Sequence, residues 1–122
     1  MEVGRLDQAP PFTTLDGSTI REVAGPRSLP TANQSLAEAT VPAGGSTDEH
    51  YHRASEEIYH FVGGRGRMKL GEVEREVIAG DTVVIAPGTP HKLWAGADEP
   101  LVLLCCCAPP YSDVDTVILE QR

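Results

Sequence analysis

The stretch HYHRASEEIYHF, residues 50–61, gathers three of the four histidines of this 122-residue chain beside two adjacent glutamates. His50 and His52 are one residue apart. On a helix that spacing would turn the two rings about 200° from each other. On a strand the side chains at i and i+2 share a face, with Cβ atoms about 6–7 Å apart. Two imidazoles reaching in from such a strand can bind one metal ion at about 2.1 Å. Glu57 lies five residues beyond His52, about 16 Å along a straight strand. The chain is therefore expected to turn at RASE, where Ala54 and Ser55 are small, and to bring Glu57 back on a neighbouring strand.

The remaining histidine, His91, follows GDTVVIAPGTP, a buried strand running into a Pro- and Gly-rich turn that fixes the backbone direction. His50, His52, Glu57 and His91 together form a borderline donor set for a divalent first-row metal, with positions left for water or substrate. H-x-H alone is a weak signal. The glutamate at a workable distance and the separate turn histidine are what strengthen it.

Two-residue alternation from Glu57 puts Tyr59 and Phe61 on the metal-facing side, while Glu56 and His60 turn outward. Glu56 is expected in solvent or paired with an arginine such as Arg53. Tyr59 is the candidate catalytic residue, a hydroxyl able to orient a substrate or donate a proton; plain core packing is the competing reading. Leu93 shares parity with His91, and Met68 and Leu70 share a face, so these are expected in the cavity wall with Phe61. The triple cysteine puts Cys105 and Cys107 on one face and Cys106 on the other. Adjacent strand cysteines diverge and do not readily form a disulfide. They are expected to be small buried hydrophobes, with Cys105 and Cys107 facing the pocket.

The elements that must position these groups are short. Ten prolines and twelve glycines cut the chain into pieces, often flanking β-branched runs, which predicts an all-β sandwich or barrel. Strands are expected at 34–41, 56–62, 67–70, 73–77, 82–85 and 101–107, with a hairpin turn at Gly71 and Glu72. LVLLCCC is apolar at every position and is expected to be buried on both faces. Residues 25–34 read as a loop, and GGRGRMK as a tight turn rather than a phosphate loop, since it matches neither glycine-rich phosphate motif. The length suits one domain, here a barrel over residues 13–122 preceded by an arm over 1–12.

Ten basic against eighteen acidic residues give a net charge of -8, a surface that phosphate backbones and anionic membranes repel. The longest apolar run, 101–108, is too short to cross a bilayer. The N-terminus lacks a basic-then-apolar signal, and clustered cysteines suit a reducing compartment. A cytoplasmic location without nucleic-acid or membrane partners is expected.

The same residues resemble the cupins. The first cupin motif, G-x5-H-x-H-x(3,4)-E-x6-G, is met by Gly44, His50, His52, Glu57 and Gly64. The second, G-x5-P-x-G-x2-H-x3-N, is met at Gly80, Gly88 and His91, with Ala86 and Ala95 in place of its proline and asparagine. The resemblance covers residues 12–119. It implies a double-stranded β-helix or jelly-roll barrel holding one divalent transition metal (Fe, Mn, Ni or Zn) at His50, His52, Glu57 and His91. It also implies pairing as a homodimer. The expected activity is that of a metal-dependent enzyme, of dioxygenase or isomerase type, on a small and preferably apolar or aromatic molecule. The alternative is a non-catalytic binding or sensing barrel with a structural metal. Fold alone does not choose between them.

Overall fold

The computed structural model describes residues 1–120. Among these, a single 3-10 turn at Leu6–Gln8 precedes eleven strands. They are β1 (Phe12–Thr13), β2 (Thr19–Ala24), β3 (Ser35–Val41), β4 (His50–His52), β5 (Glu56–Gly63), β6 (Arg65–Leu70), β7 (Val73–Ile78), β8 (Thr82–Ile85), β9 (His91–Ala95), β10 (Leu101–Ala108) and β11 (Thr116–Ile118). One sheet has the order β1-β2-β3-β10-β5-β8, the other β11-β4-β9-β6-β7, and every pairing is antiparallel. Two such sheets packed face to face make a jelly roll.

Alternation builds the core. Along β5 the residues from Glu56 to Phe61 read exposed, buried, exposed, buried, exposed, buried. The inward rows of β5 and β10 are in register, so Glu57 lies opposite Cys107, Tyr59 opposite Cys105, and Phe61 opposite Leu103. This interior has two ends. Phe61, Leu101 and Val77 are almost fully buried and fill one end. The histidines, Glu57 and Ser35 face the other. Burial of a large apolar side chain contributes about 1.5–3 kcal/mol, so the filled end is what holds the sheets together.

Two glycines allow the corner between sheets. Gly64 has φ +77° and an added Cβ would lie 2.1 Å from the Pro100 carbonyl oxygen; at Gly66 it would lie 2.1 Å from that of Trp94. No side chain fits at either place. Gly71, at φ +58°, forms with Glu72 the two-residue turn of the β6–β7 hairpin, as its sequence suggests.

The expected strands are all present within a few residues. The structure differs in three respects. LVLLCCC is buried on one face only: Leu101, Leu103, Cys105 and Cys107 face inward, while Val102, Leu104 and Cys106 point to the outer face of that sheet and are half-buried. Of GGRGRMK only Gly64 lies outside a strand, so the segment is a corner between sheets. Strands β1, β2, β9 and β11 were not expected. In β2 the buried residue is Glu22, whose carboxylate accepts hydrogen bonds from the Arg27 amide (2.6 Å) and the Ser28 hydroxyl (3.0 Å). A charged residue in the inward position hides the strand pattern.

Candidate metal centre

His50 and His52 project from β4 onto the inner face, and β9 lies beside β4 with His50 directly opposite His91. One ring nitrogen of each of His50, His52 and His91 lies within 4.8 Å of the others, and all three residues are buried. Glu57 arrives from across the interior. It sits on β5 in the facing sheet, not on a strand neighbouring β4, which corrects the expected geometry of the RASE turn. That turn is pinned by the C-terminal segment: the Asp115 carboxylate accepts from the amides of Ala54 (2.8 Å) and Ser55 (3.1 Å). Arg53 donates to the Val114 carbonyl oxygen, 2.8 Å away, and Glu56 is exposed. Glu57 Oε1 lies 3.1 Å from His52 Nε2 and 3.5 Å from His91 Nε2.

The outer ring nitrogens decide which atoms face the centre. His50 Nδ1–H donates to the Asp48 carbonyl oxygen at 2.8 Å, and His91 Nδ1–H to that of Thr89 at 2.9 Å. The Thr116 hydroxyl gives its proton to the Ser112 carbonyl oxygen, so its oxygen accepts from His52 Nδ1–H at 3.0 Å. With every Nδ1 donating outward, each Nε2 is left to present a lone pair inward. His91 Nε2 is buried with no hydrogen-bond partner among the described residues. A buried orphan nitrogen, flanked by two more imidazoles and a carboxylate, calls for a cation. The three histidines are therefore positioned to hold a metal ion.

The charges agree. Burial pushes the Glu57 carboxyl up, but its hydrogen bond with His52 and the neighbouring imidazoles outweigh that and hold it well below the usual carboxylate range. Burial alone would lower His52; the Glu57 hydrogen bond and charge more than offset it and raise it above 6.5. His50 is lowered by burial and by His91.

The cavity over this group is about 50 Å³. Tyr59, Leu93, Cys105 and Cys107 are in its wall, and Cys107 Sγ donates to Glu57 Oε2 at 3.1 Å. Burial, then the Glu57 charge, raises the thiols of Cys105 and Cys107 and the Tyr59 hydroxyl, so all three stay protonated. Phe61, Met68 and Leu70 do not line this cavity. Their parity points them inward, but Phe61 belongs to the filled end, and Met68 and Leu70 border a separate apolar hollow against Val77 and Val83. Parity gives the face, not the position along the barrel. His60 stands on the outer face with Nδ1 2.8 Å from the Thr82 hydroxyl, away from the centre.

Three residues of the site escaped the sequence. Tyr111 sets its ring edge-on to His52, with centroids 5.8 Å apart. Thr116 orients His52. Asp16, in the β1–β2 turn, brings Oδ2 to 3.6 Å from His50 Nε2. Each is more than 30 positions from the histidine it serves, so no local spacing could flag it.

The cupin domain family, Cupin_2, matches residues 37–107. The chain is a cupin. This cupin is 50% identical over 114 residues to the uncharacterised protein MJ1618 of Methanocaldococcus jannaschii, covering 93% of this chain and 91% of that one. Its fold is similar to that of the polyketide cyclase RemF from Streptomyces resistomycificus, with a TM-score of 0.83, 18% identity, and coverage of 100% of this chain and 87% of that one. It is also similar to Pac13 from Streptomyces, described as a nucleoside dehydratase, with a TM-score of 0.79, 15% identity, and coverage of 98% and 92%. At those identities the likeness is one of fold.

Proposed function

We propose that this cupin is a metal-dependent enzyme whose ion is held by His50, His52, His91 and Glu57, and that it carries out a redox-neutral, isomerase-type reaction on a small hydroxyl- or carbonyl-bearing molecule. The observation that carries the metal reading is the orphaned, buried His91 Nε2 inside a ring of three outward-donating imidazoles. A bound Fe, Mn, Ni or Zn ion would supply Lewis acidity toward a carbonyl or hydroxyl oxygen. Glu57 balances charge, and Cys107 holds its second oxygen. The Tyr59 hydroxyl, protonated and without a hydrogen bond among the described residues, is the proton donor in this reading. The redox-neutral choice over a dioxygenase rests on Cys105 and Cys107, two thiols in the cavity wall open to any oxidant generated there. The activities of Pac13 and RemF, a dehydratase and a cyclase, are in keeping with this choice.

The small cavity favours a second reading, in which the ion stabilises the barrel and nothing is turned over. Metal analysis of the native protein, followed by turnover and oxygen-uptake assays on hydroxy-ketones and diols, separates the readings. Turnover without oxygen uptake supports the proposal; oxygen consumed in step with product makes it a dioxygenase; bound metal without turnover makes the ion structural.

The partner in solution is proposed to be a second copy of this chain. On the outer face of the larger sheet, Leu36, Cys106, Ile58 and Val84 stand in one cross-strand row. Leu36, Ile58 and Val84 are exposed there. The expected cytoplasmic location is part of the same proposal; no helix of the described residues is long and apolar enough to cross a membrane.

A further inference from the structure

Asp16 has no part in the cupin motifs, yet its carboxylate is held beside the site by several hydrogen bonds. Oδ1 accepts three hydrogen bonds, from the hydroxyls of Thr14 (2.6 Å) and Ser18 (2.7 Å) and from the Ser18 amide (2.9 Å). The turn that carries it is tied to the metal group through the backbone. The Asp16 carbonyl oxygen accepts from the Asp48 amide at 2.8 Å, and the Asp48 carbonyl oxygen accepts from His50 Nδ1–H. This leaves Oδ2 uncommitted, at the cavity wall, with His50 Nε2 3.6 Å away and too far for a hydrogen bond.

Glu57 and Asp16 are not equivalent. Glu57 Oε1 approaches two of the three inward nitrogens, whereas Asp16 Oδ2 approaches one. Glu57 is thus placed to share the ion and Asp16 to flank it, from the side where the N-terminal strands close over the cavity. Among the described residues the cavity wall contains the carboxylates of Asp16, Glu22 and Glu57 and no lysine or arginine. Glu22 is turned away toward Arg27 and Ser28. The free acceptor beside the centre is Oδ2 of Asp16.

We propose that Asp16 is a specificity-determining residue of this centre: its free oxygen accepts a proton-bearing hydroxyl or amine group of a neutral ligand at the ion's open positions and repels small anions from them. The inference rests on the metal reading above and adds the ligand class, a small neutral molecule carrying an O–H or N–H. A fixed negative charge a few ångströms from an incoming anion, in a mostly apolar cavity, weakens that anion's binding by about tenfold or more.

The test uses the full chain loaded with cobalt(II), whose visible spectrum reports exogenous ligands. Azide serves as the anion and imidazole as the neutral N–H donor. Asp16→Asn keeps shape and removes charge; Asp16→Glu keeps charge; both are checked for folding by circular dichroism. Cobalt stoichiometry is expected to stay at the wild-type level in both. Azide affinity is expected to rise about tenfold in Asp16→Asn and to stay low in Asp16→Glu, while imidazole affinity falls several-fold in Asp16→Asn. Azide affinities within twofold across wild type and Asp16→Asn overturn the proposal. So does a loss of cobalt in Asp16→Asn as deep as that in His52→Ala, which would make Asp16 a ligand. Wild-type protein that takes up no cobalt refutes the metal reading itself, a failure plainly distinct from the other two.

Discussion

At the scale of residues, the centre divides into groups positioned to hold a metal ion and groups that aim them. His52→Ala or Glu57→Ala is expected to strip most of the metal from the purified protein, and His60→Ala to leave it intact, as read by elemental analysis. Metal retained in Glu57→Ala but lost in His60→Ala would reverse the strand parity on which the site is built. Thr116→Val removes the acceptor of His52 Nδ1–H and should weaken metal affinity about 10-fold to 100-fold without unfolding the barrel. The pH dependence follows from His52. Its pKa is raised above 6.5, and an ion must displace its proton, so metal affinity is full above that pKa and falls as the pH drops through it. His50 is lowered and competes only at more acidic pH. Calorimetric titration between roughly pH 8 and pH 5 measures this; affinity that does not decline on acidification would remove His52 from the ligand set.

Elements set how those residues meet. β4 and β9 supply the histidines as neighbours in one sheet, and β5 supplies Glu57 from the other, so the centre is also a clasp between sheets. Metal loading is expected to raise the melting temperature by several degrees, because an ion bound only by the folded state adds its binding free energy to stability. The corner glycines are the least replaceable backbone positions. Gly66→Ala drives a methyl group into the Trp94 carbonyl oxygen and should cost at least about 2 kcal/mol in chemical denaturation. Gly71→Asn, at a left-handed position with nothing within 4 Å of an added Cβ, should cost less than about 1 kcal/mol. Equal losses at the two sites would show that the close approach to Trp94 does not exist in solution.

For the whole molecule, burial is uneven. One end of the interior is packed solid and the other holds the polar centre, while the larger sheet leaves Leu36, Ile58 and Val84 exposed in a single row. Scattered apolar residues on a surface need no explanation, but a row across four strands presents a contiguous surface suited to a second copy. Ile58→Lys is expected to convert a dimer to a monomer in analytical ultracentrifugation with metal content unchanged. A monomeric wild-type protein would leave that row without its proposed partner.

Periodicity made much of this legible before any coordinates. The six expected strands, the β6–β7 hairpin at Gly71, the inward set of His50, His52, Glu57, Tyr59 and His91, and the outward turn of His60 all follow from two-residue alternation and turn chemistry, which are local properties of the chain. Position along the barrel is not local. Alternation pointed Phe61, Met68 and Leu70 inward but could not say that Phe61 packs in the filled end or that Met68 and Leu70 border a separate hollow. Glu22 concealed β2 because its carboxylate is satisfied by a loop that the strand pattern does not describe. Asp16, Tyr111 and Thr116 reach the histidines only through the pairing of chain ends with the barrel. The sequence by itself determined six of the strands, the faces their residues take and the residue types gathered at the candidate metal centre. Tertiary structure alone decided which sheet delivers Glu57, how small the cavity is, and which distant side chains orient and flank the centre, because contacts between residues far apart in the chain leave no periodic trace in it.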